Sequence, residues 1–164
     1  MKRHPALVPL SREHNTALVL AFRIEHELPG SEAATVGKMY DLLIDLWTRG
    51  LLPHFRAENE CLLARLIRHV PADDEMVVRT QRDHLGIEAL VADMRDDRDI
   101  EARRRRLLDF AARIRTHIRW EEEVLFEATQ ERLAADELAA LGSDITERVG
   151  DGTRGAHEVA TKDR

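Results

Sequence analysis

Two segments of this chain share one pattern: His54-Phe-Arg-Ala-Glu58 and His117-Ile-Arg-Trp-Glu121 both read His-x-x-x-Glu. On a helix, a spacing of four places both side chains of a pair on one face, one turn apart. Each pair falls on an apolar stripe, where the helical period asks for Leu or Ile, and His14 and His84 interrupt two further stripes in the same way. Taken singly, each of the six is most simply a satisfied core histidine or a surface glutamate. As a set they are not, because two carboxylates and four imidazoles in one core would cost on the order of several kcal/mol per unpaired charge. Cations supply the missing partner. Imidazole and carboxylate without thiolate suit iron or manganese in a bundle core, where a bridging carboxylate holds two ions at once. Zinc normally takes fewer ligands.

The elements that must position these residues are helices. Leu10, His14, Ala17, Leu18, Ala21, Ile24 and Leu28 follow at steps of three and four, with Ser11 at the N-cap position, and predict a helix over 11–28 that ends at Pro29-Gly30. A second stripe runs from Val36 through Tyr40, Leu43, Trp47 and Leu51 to His54, Glu58 and Leu62; it crosses Pro53, which should kink the helix near the site. Pro71 ends this segment. A third helix opens on the acidic run Asp73, Asp74, Glu75, suited to the positive end of a helix dipole, and carries Val77, Thr80, His84, Ile87, Val91 and Met94. After charged residues 95–99, a fourth carries Leu107, Phe110, Ile114, His117, Glu121, Val124 and Ala128.

Four long helices with short joints make an all-α, up-down-up-down four-helix bundle. Leu133, Leu138, Leu141 and Ile145 add a short extra C-terminal helix, so the domain spans 5–148, and 149–164 reads as a disordered tail. Glu58 and His84 lie about a dozen residues on either side of the turn near Pro71, so they meet at one level of the bundle. The arms of the other two hairpins are unequal, and longer loops or tilted helices must absorb the difference.

Composition agrees with helices: 34% of the 164 residues are charged and only 4% aromatic. A net charge of -6 disfavours nucleic-acid binding, and the run Arg103 to Arg106 spreads around its helix as a solvated face. The single cysteine, Cys61, excludes an intramolecular disulfide and a cysteine-based metal knuckle, which points to a reducing, cytoplasmic setting. No stretch approaches the roughly 20 apolar residues of a membrane span, and Met-Lys-Arg-His-Pro opens no apolar leader. His4, His26, His69 and His157 fall off the stripes and read as surface residues.

The order His, His-x-x-x-Glu, His, His-x-x-x-Glu resembles the hemerythrin-like (HHE cation-binding) family. The likeness rests on Leu10-Ser-Arg-Glu-His14, His54-Phe-Arg-Ala-Glu58 and His117-Ile-Arg-Trp-Glu-Glu-Glu-Val-Leu-Phe126, and covers nearly the whole bundle. It implies two iron ions in an oxo- or hydroxo-bridged (Fe–O–Fe) centre. His14 and His54 would serve one iron, His84 and His117 the other, and Glu58 and Glu121 would bridge. Oxygen-carrying hemerythrins add a histidine four residues after the third helix's ligand; here that position is Glu88, a possible additional metal ligand. Their last bridging ligand is an aspartate five residues on, whereas Glu121 follows His117 by four. The set looks closer to the di-iron proteins that repair iron-sulfur centres, although their Cys-rich N-terminal domain is not present.

The resemblance therefore implies a non-haem di-iron protein that binds or reduces a small oxidant (dioxygen, nitric oxide or peroxide) in oxidative or nitrosative stress, with an electron donor the sequence does not name. The alternative is a non-enzymatic module that senses or stores iron or oxygen. Manganese in one or both positions suits the same ligands.

Overall fold

The computed structural model describes residues 2–96, 98–150 and 152. Five helices, among the described residues, form an all-α bundle with up-down-up-down order. Helix α1 is Val8–Glu27. Helix α2 covers 33–66, helix α3 is Glu75–Asp96, helix α4 covers 100–132, and helix α5 is Ala135–Val149. Most of the segment expected as a tail lies outside the described residues, and Val149 is the last residue of α5, fully buried.

α1 starts three residues before the expected cap. A 3-10 turn, Pro5–Leu7, precedes it, and the Ala6 N–H donates to His4 Nδ1 at 3.2 Å. Pro9 sits in the first helical turn, where the missing N–H costs nothing, so the helix begins there and Ser11 lies inside it. Two further starts are capped by acidic side chains: the Met76 N–H donates to Asp74, and the Glu101 and Ala102 N–H groups donate to Asp99.

Three π-helical turns interrupt the two long helices: Trp47–Leu51 and Glu58–Leu63 in α2, and Glu121–Leu125 in α4. The first lies immediately before Pro53. The Leu52 N–H reaches back five residues to the Trp47 carbonyl, so the helix meets the proline by widening rather than breaking. The other two begin at Glu58 and Glu121 themselves, each directly after a His-x-x-x-Glu repeat. Each π turn takes one additional residue into its helix, and all three lie in the longer arms.

The arginine run has a structural use that a solvated face does not describe. Arg104 donates to the Ser31 hydroxyl at 2.9 Å and to its carbonyl at 2.7 Å, tying the α1–α2 connection to the start of α4. Arg103 lies over the Tyr40 ring, 4.2 Å from its centre.

The interior consists of two apolar clusters. One holds Leu20 and Ile24 of α1, Leu43 and Phe55 of α2, Ile87 and Met94 of α3, and Phe110 and Ile114 of α4. The other holds Leu7, Leu10, Leu62, Leu66, Val77, Leu125 and Phe126, closed by Leu138, Leu141 and Ile145 of α5. Along α1 and α3 the break between the clusters falls where His14 and His84 stand, and along α2 and α4 it falls within the His54–Glu58 and His117–Glu121 segments. α5 therefore caps one core. It can lie close because Gly142 faces Ala6, where an added Cβ would come within 3.1 Å of the Ala6 backbone.

If α5 is integral to the core, Leu141→Ala should lower unfolding free energy by roughly 2–5 kcal/mol. Val78→Ala, at a position 47% exposed, should change it by less than about 0.5 kcal/mol. Urea denaturation followed by circular dichroism measures both, and an unchanged midpoint for Leu141→Ala would mean that α5 is dispensable.

Candidate metal centre

His14, His54, Glu58, His84, His117 and Glu121 converge in the polar layer between the two cores, each no more than 2% exposed. The four-residue spacing on α2 and α4 brings His54 Nε2 to 3.2 Å from Glu58 and His117 Nε2 to 3.1 Å from Glu121. α1 and α3 bring the remaining two imidazoles across the bundle. His14 Nε2 lies 3.2 Å from Glu121, and His84 Nε2 lies 3.2 Å from Glu58 and 3.5 Å from Glu121.

Each carboxylate spans the layer. Glu58 turns Oε1 toward His14 and His54, at 3.9 and 3.2 Å, and Oε2 toward His84. Glu121 turns Oε2 toward His14 and Oε1 toward His84 and His117. The ligand atoms thus form two groups, His14, His54, Glu58, Glu121 and Glu58, His84, His117, Glu121, each with its atoms within 4.8 Å of one another. Both glutamates belong to both groups. Glu88, one turn beyond His84, is half-buried and belongs to neither.

Three of the four imidazoles have a hydrogen-bond partner on the outward edge, and the fourth has a carboxylate nearby. His54 Nδ1–H donates to Glu13 at 3.1 Å, His14 Nδ1–H to Glu122 at 2.7 Å and His84 Nδ1–H to Asn59 at 3.2 Å; His117 Nδ1 faces Asp83 at 3.7 Å. A proton fixed on Nδ1 leaves the Nε2 lone pair pointing inward, the tautomer a metal ligand requires. Sequence reading missed these four partners, although each is the immediate neighbour of a candidate ligand: Glu13 of His14, Asn59 of Glu58, Asp83 of His84, Glu122 of Glu121. None serves the residue it adjoins. Glu13 of α1 holds the histidine of α2, Asn59 of α2 that of α3, Asp83 of α3 faces that of α4, and Glu122 of α4 holds that of α1.

Aromatic rings wall the layer. Phe55 stacks on His84, with ring centres 3.8 Å apart, and meets His117 edge-on; Phe126 stacks on His14 at 5.3 Å. Arg3 fixes the Glu122 carboxylate at 2.6 Å. His26 and His69 are exposed, as their positions off the stripes imply; His4 is half-buried, and His157 lies outside the described residues.

Among the protein's own charges, the carboxylates stay ionised. Burial and the neighbouring Glu121 would raise the Glu58 pKa, but His54 and His84 hold it down to about 2. Burial would lower that of His117, yet the Glu121 carboxylate pushes it up to about 10. The cluster therefore calls for positive charge. The hydrogen-bond geometry decides which kind fits. All four Nε2 atoms and all four oxygens of Glu58 and Glu121 are buried without a hydrogen-bond partner. A settled imidazolium–carboxylate network would have paired them; eight inward lone-pair donors around a shared centre suit a pair of cations.

The family model described as the hemerythrin HHE cation-binding domain matches residues 7–129, from the turn before α1 to the last turns of α4. No curated protein and no solved structure matches the chain. The matched span contains every residue of the polar layer, and the chain belongs to the hemerythrin HHE cation-binding domain family.

Proposed function

We propose that the polar layer holds two iron ions, with His14 and His54 serving one, His84 and His117 the other, and Glu58 and Glu121 bridging, in a protein that binds or reduces a small oxidant. The single observation that carries the reading is the span of the two carboxylates, each presenting one oxygen to each histidine pair. A bound iron pair would supply one-electron exchange with dioxygen, nitric oxide or peroxide. The chain's own residues do the rest. Glu13, Glu122 and Asn59 hold their imidazoles in the ligating tautomer, and the apolar clusters on both sides keep bulk water from the layer. Each position has four protein groups, which leaves coordination sites for an exogenous ligand, and the half-buried Glu88 outside both groups supports reading it as a bystander. A stress-response role and an electron donor belong to the same proposal. In the alternative, a sensing or storage module, the metals would bind without turnover.

Protein produced with iron should carry about two metal ions per chain by plasma mass spectrometry, and the same measurement reports manganese if it takes either position. Removing the metal should lower the melting temperature by well over about 4 °C, the shift that roughly 1 kcal/mol gives in a chain of this size. Less than one ion per chain after anaerobic reconstitution, or equal stability with and without metal, would sink the two-metal reading.

Single substitutions separate the roles. Glu58→Ala or Glu121→Ala should lose both ions together, His14→Ala should weaken chiefly one, and Glu88→Ala should leave the content unchanged. Loss of one ion in each of the first three variants would contradict the bridging roles. Consumption of peroxide or nitric oxide by the reduced protein, lost in Glu58→Ala, would favour turnover over the sensing alternative.

A further inference from the structure

Beside the polar layer, an open cleft of about 530 Å³ lies between α3 and α4. Arg79, Arg82, Asp83 and Gly86 line one wall, Ala112, Arg113 and Thr116 the other, with Ile87 and His117 between them. His117 is 2% exposed, and its Nδ1 atom, 3.7 Å from the Asp83 carboxylate, is buried without a hydrogen-bond partner. The cleft thus reaches from solvent to the outer edge of one buried imidazole.

Its chemistry is cationic with an apolar floor. Three guanidinium groups face two carboxylates: Arg79 and Arg82 reach Asp83 at 3.6 and 3.9 Å, and Arg113 reaches Asp109 at 2.8 Å. The approach in each case is through Nε, and Arg113 Nη1 lies beside Gly86 in the cleft, where a guanidinium fork can take a planar or tetrahedral oxyanion. The aliphatic part of the lining is Ile87 and Ala112, and the Arg79 guanidinium carbon lies over the Trp120 ring, 4.5 Å from its centre. Gly86 keeps the space open. A Cβ there would meet only Arg113 Nη1, at 3.8 Å, and a large side chain would fill the cleft without removing a charge.

We propose that this cleft is a binding site for a small organic oxyanion, a carboxylate or phosphate on an apolar body, seated against the outer edge of His117. A volume of this size accommodates a small organic molecule rather than a bare inorganic ion. The inference stands on the cleft alone and does not require the metal assignment.

Calorimetric titration of the full-length, metal-loaded chain with phenyl phosphate and with isophthalate tests it, with benzyl alcohol as the neutral control. Saturable one-site binding of either anion, and none of the alcohol, is expected; binding of one anion alone assigns the headgroup, and binding of both assigns the shared oxyanion chemistry. Arg82→Ala and Arg113→Ala should each weaken binding about tenfold, and Gly86→Trp should abolish it with every charge retained. Thermal melts confirm that the variants fold, and the two arginine variants decide if Gly86→Trp does not. No saturable binding overturns the proposal. So does binding that persists undiminished in the arginine variants, because the anion would then sit elsewhere, such as on the metals. A chain that holds two metals but binds neither anion leaves the metal reading intact and ends this one.

Discussion

Two ionised carboxylates buried at the centre of an apolar interior constrain everything else in this molecule. Glu58 and Glu121 have no exposure, and water cannot offset their desolvation. Four imidazoles surround them, and those imidazoles must in turn be held so that their lone pairs face inward. The bundle answers in layers, an apolar cluster on each side and one polar stratum between, so that the two carboxylates and four imidazoles share the level where they can reach one another. The π turns that open at Glu58 and Glu121 belong to the same constraint. They change the phase of each long helix from its buried glutamate onward, letting the residues beyond rejoin the second core.

Support for the imidazoles passes around the bundle. Because each outer partner is the chain neighbour of a candidate ligand on one helix yet serves the histidine of the next, no helix completes its own part of the site. Each inter-helix contact therefore sets both the packing and the orientation of an imidazole, and the ring closes only when all four helices are in place. Arg3 extends it to the N-terminal segment by fixing the Glu122 carboxylate that holds His14.

Much of this was legible in the sequence because two periodicities coincide there. Apolar residues at steps of three and four mark the helices, and His14, His54, Glu58, His84, His117 and Glu121 violate that pattern at positions whose burial is otherwise assured. Ser11 misled because Pro5 and Pro9 offer an earlier start, and proline at a first turn outweighs a serine that can sit inside a helix. Glu13, Asn59, Asp83 and Glu122 were invisible for a different reason. They lie on the flanks of their helices, where polar residues are ordinary, and their role depends on which helix stands beside that flank. Arg104 escaped likewise, since a loop carbonyl leaves no mark in sequence.

The apparent two-fold relation between the two histidine pairs conceals a chemical difference. His14 and His54 are each backed by a carboxylate, Glu122 at 2.7 Å and Glu13 at 3.1 Å, and a carboxylate partner makes an imidazole a more basic ligand. His84 is backed by the neutral amide of Asn59, and His117 only distantly by Asp83, which also faces Arg79 and Arg82. The second pair is thus the poorer donor set, and it alone adjoins the cleft between α3 and α4. On the proposed reading, a metal held by His84 and His117 would be the more electrophilic of the two. Phe126 and the core beyond it wall in the carboxylate-backed pair, whereas His117 of the other pair lines a cleft that opens to solvent.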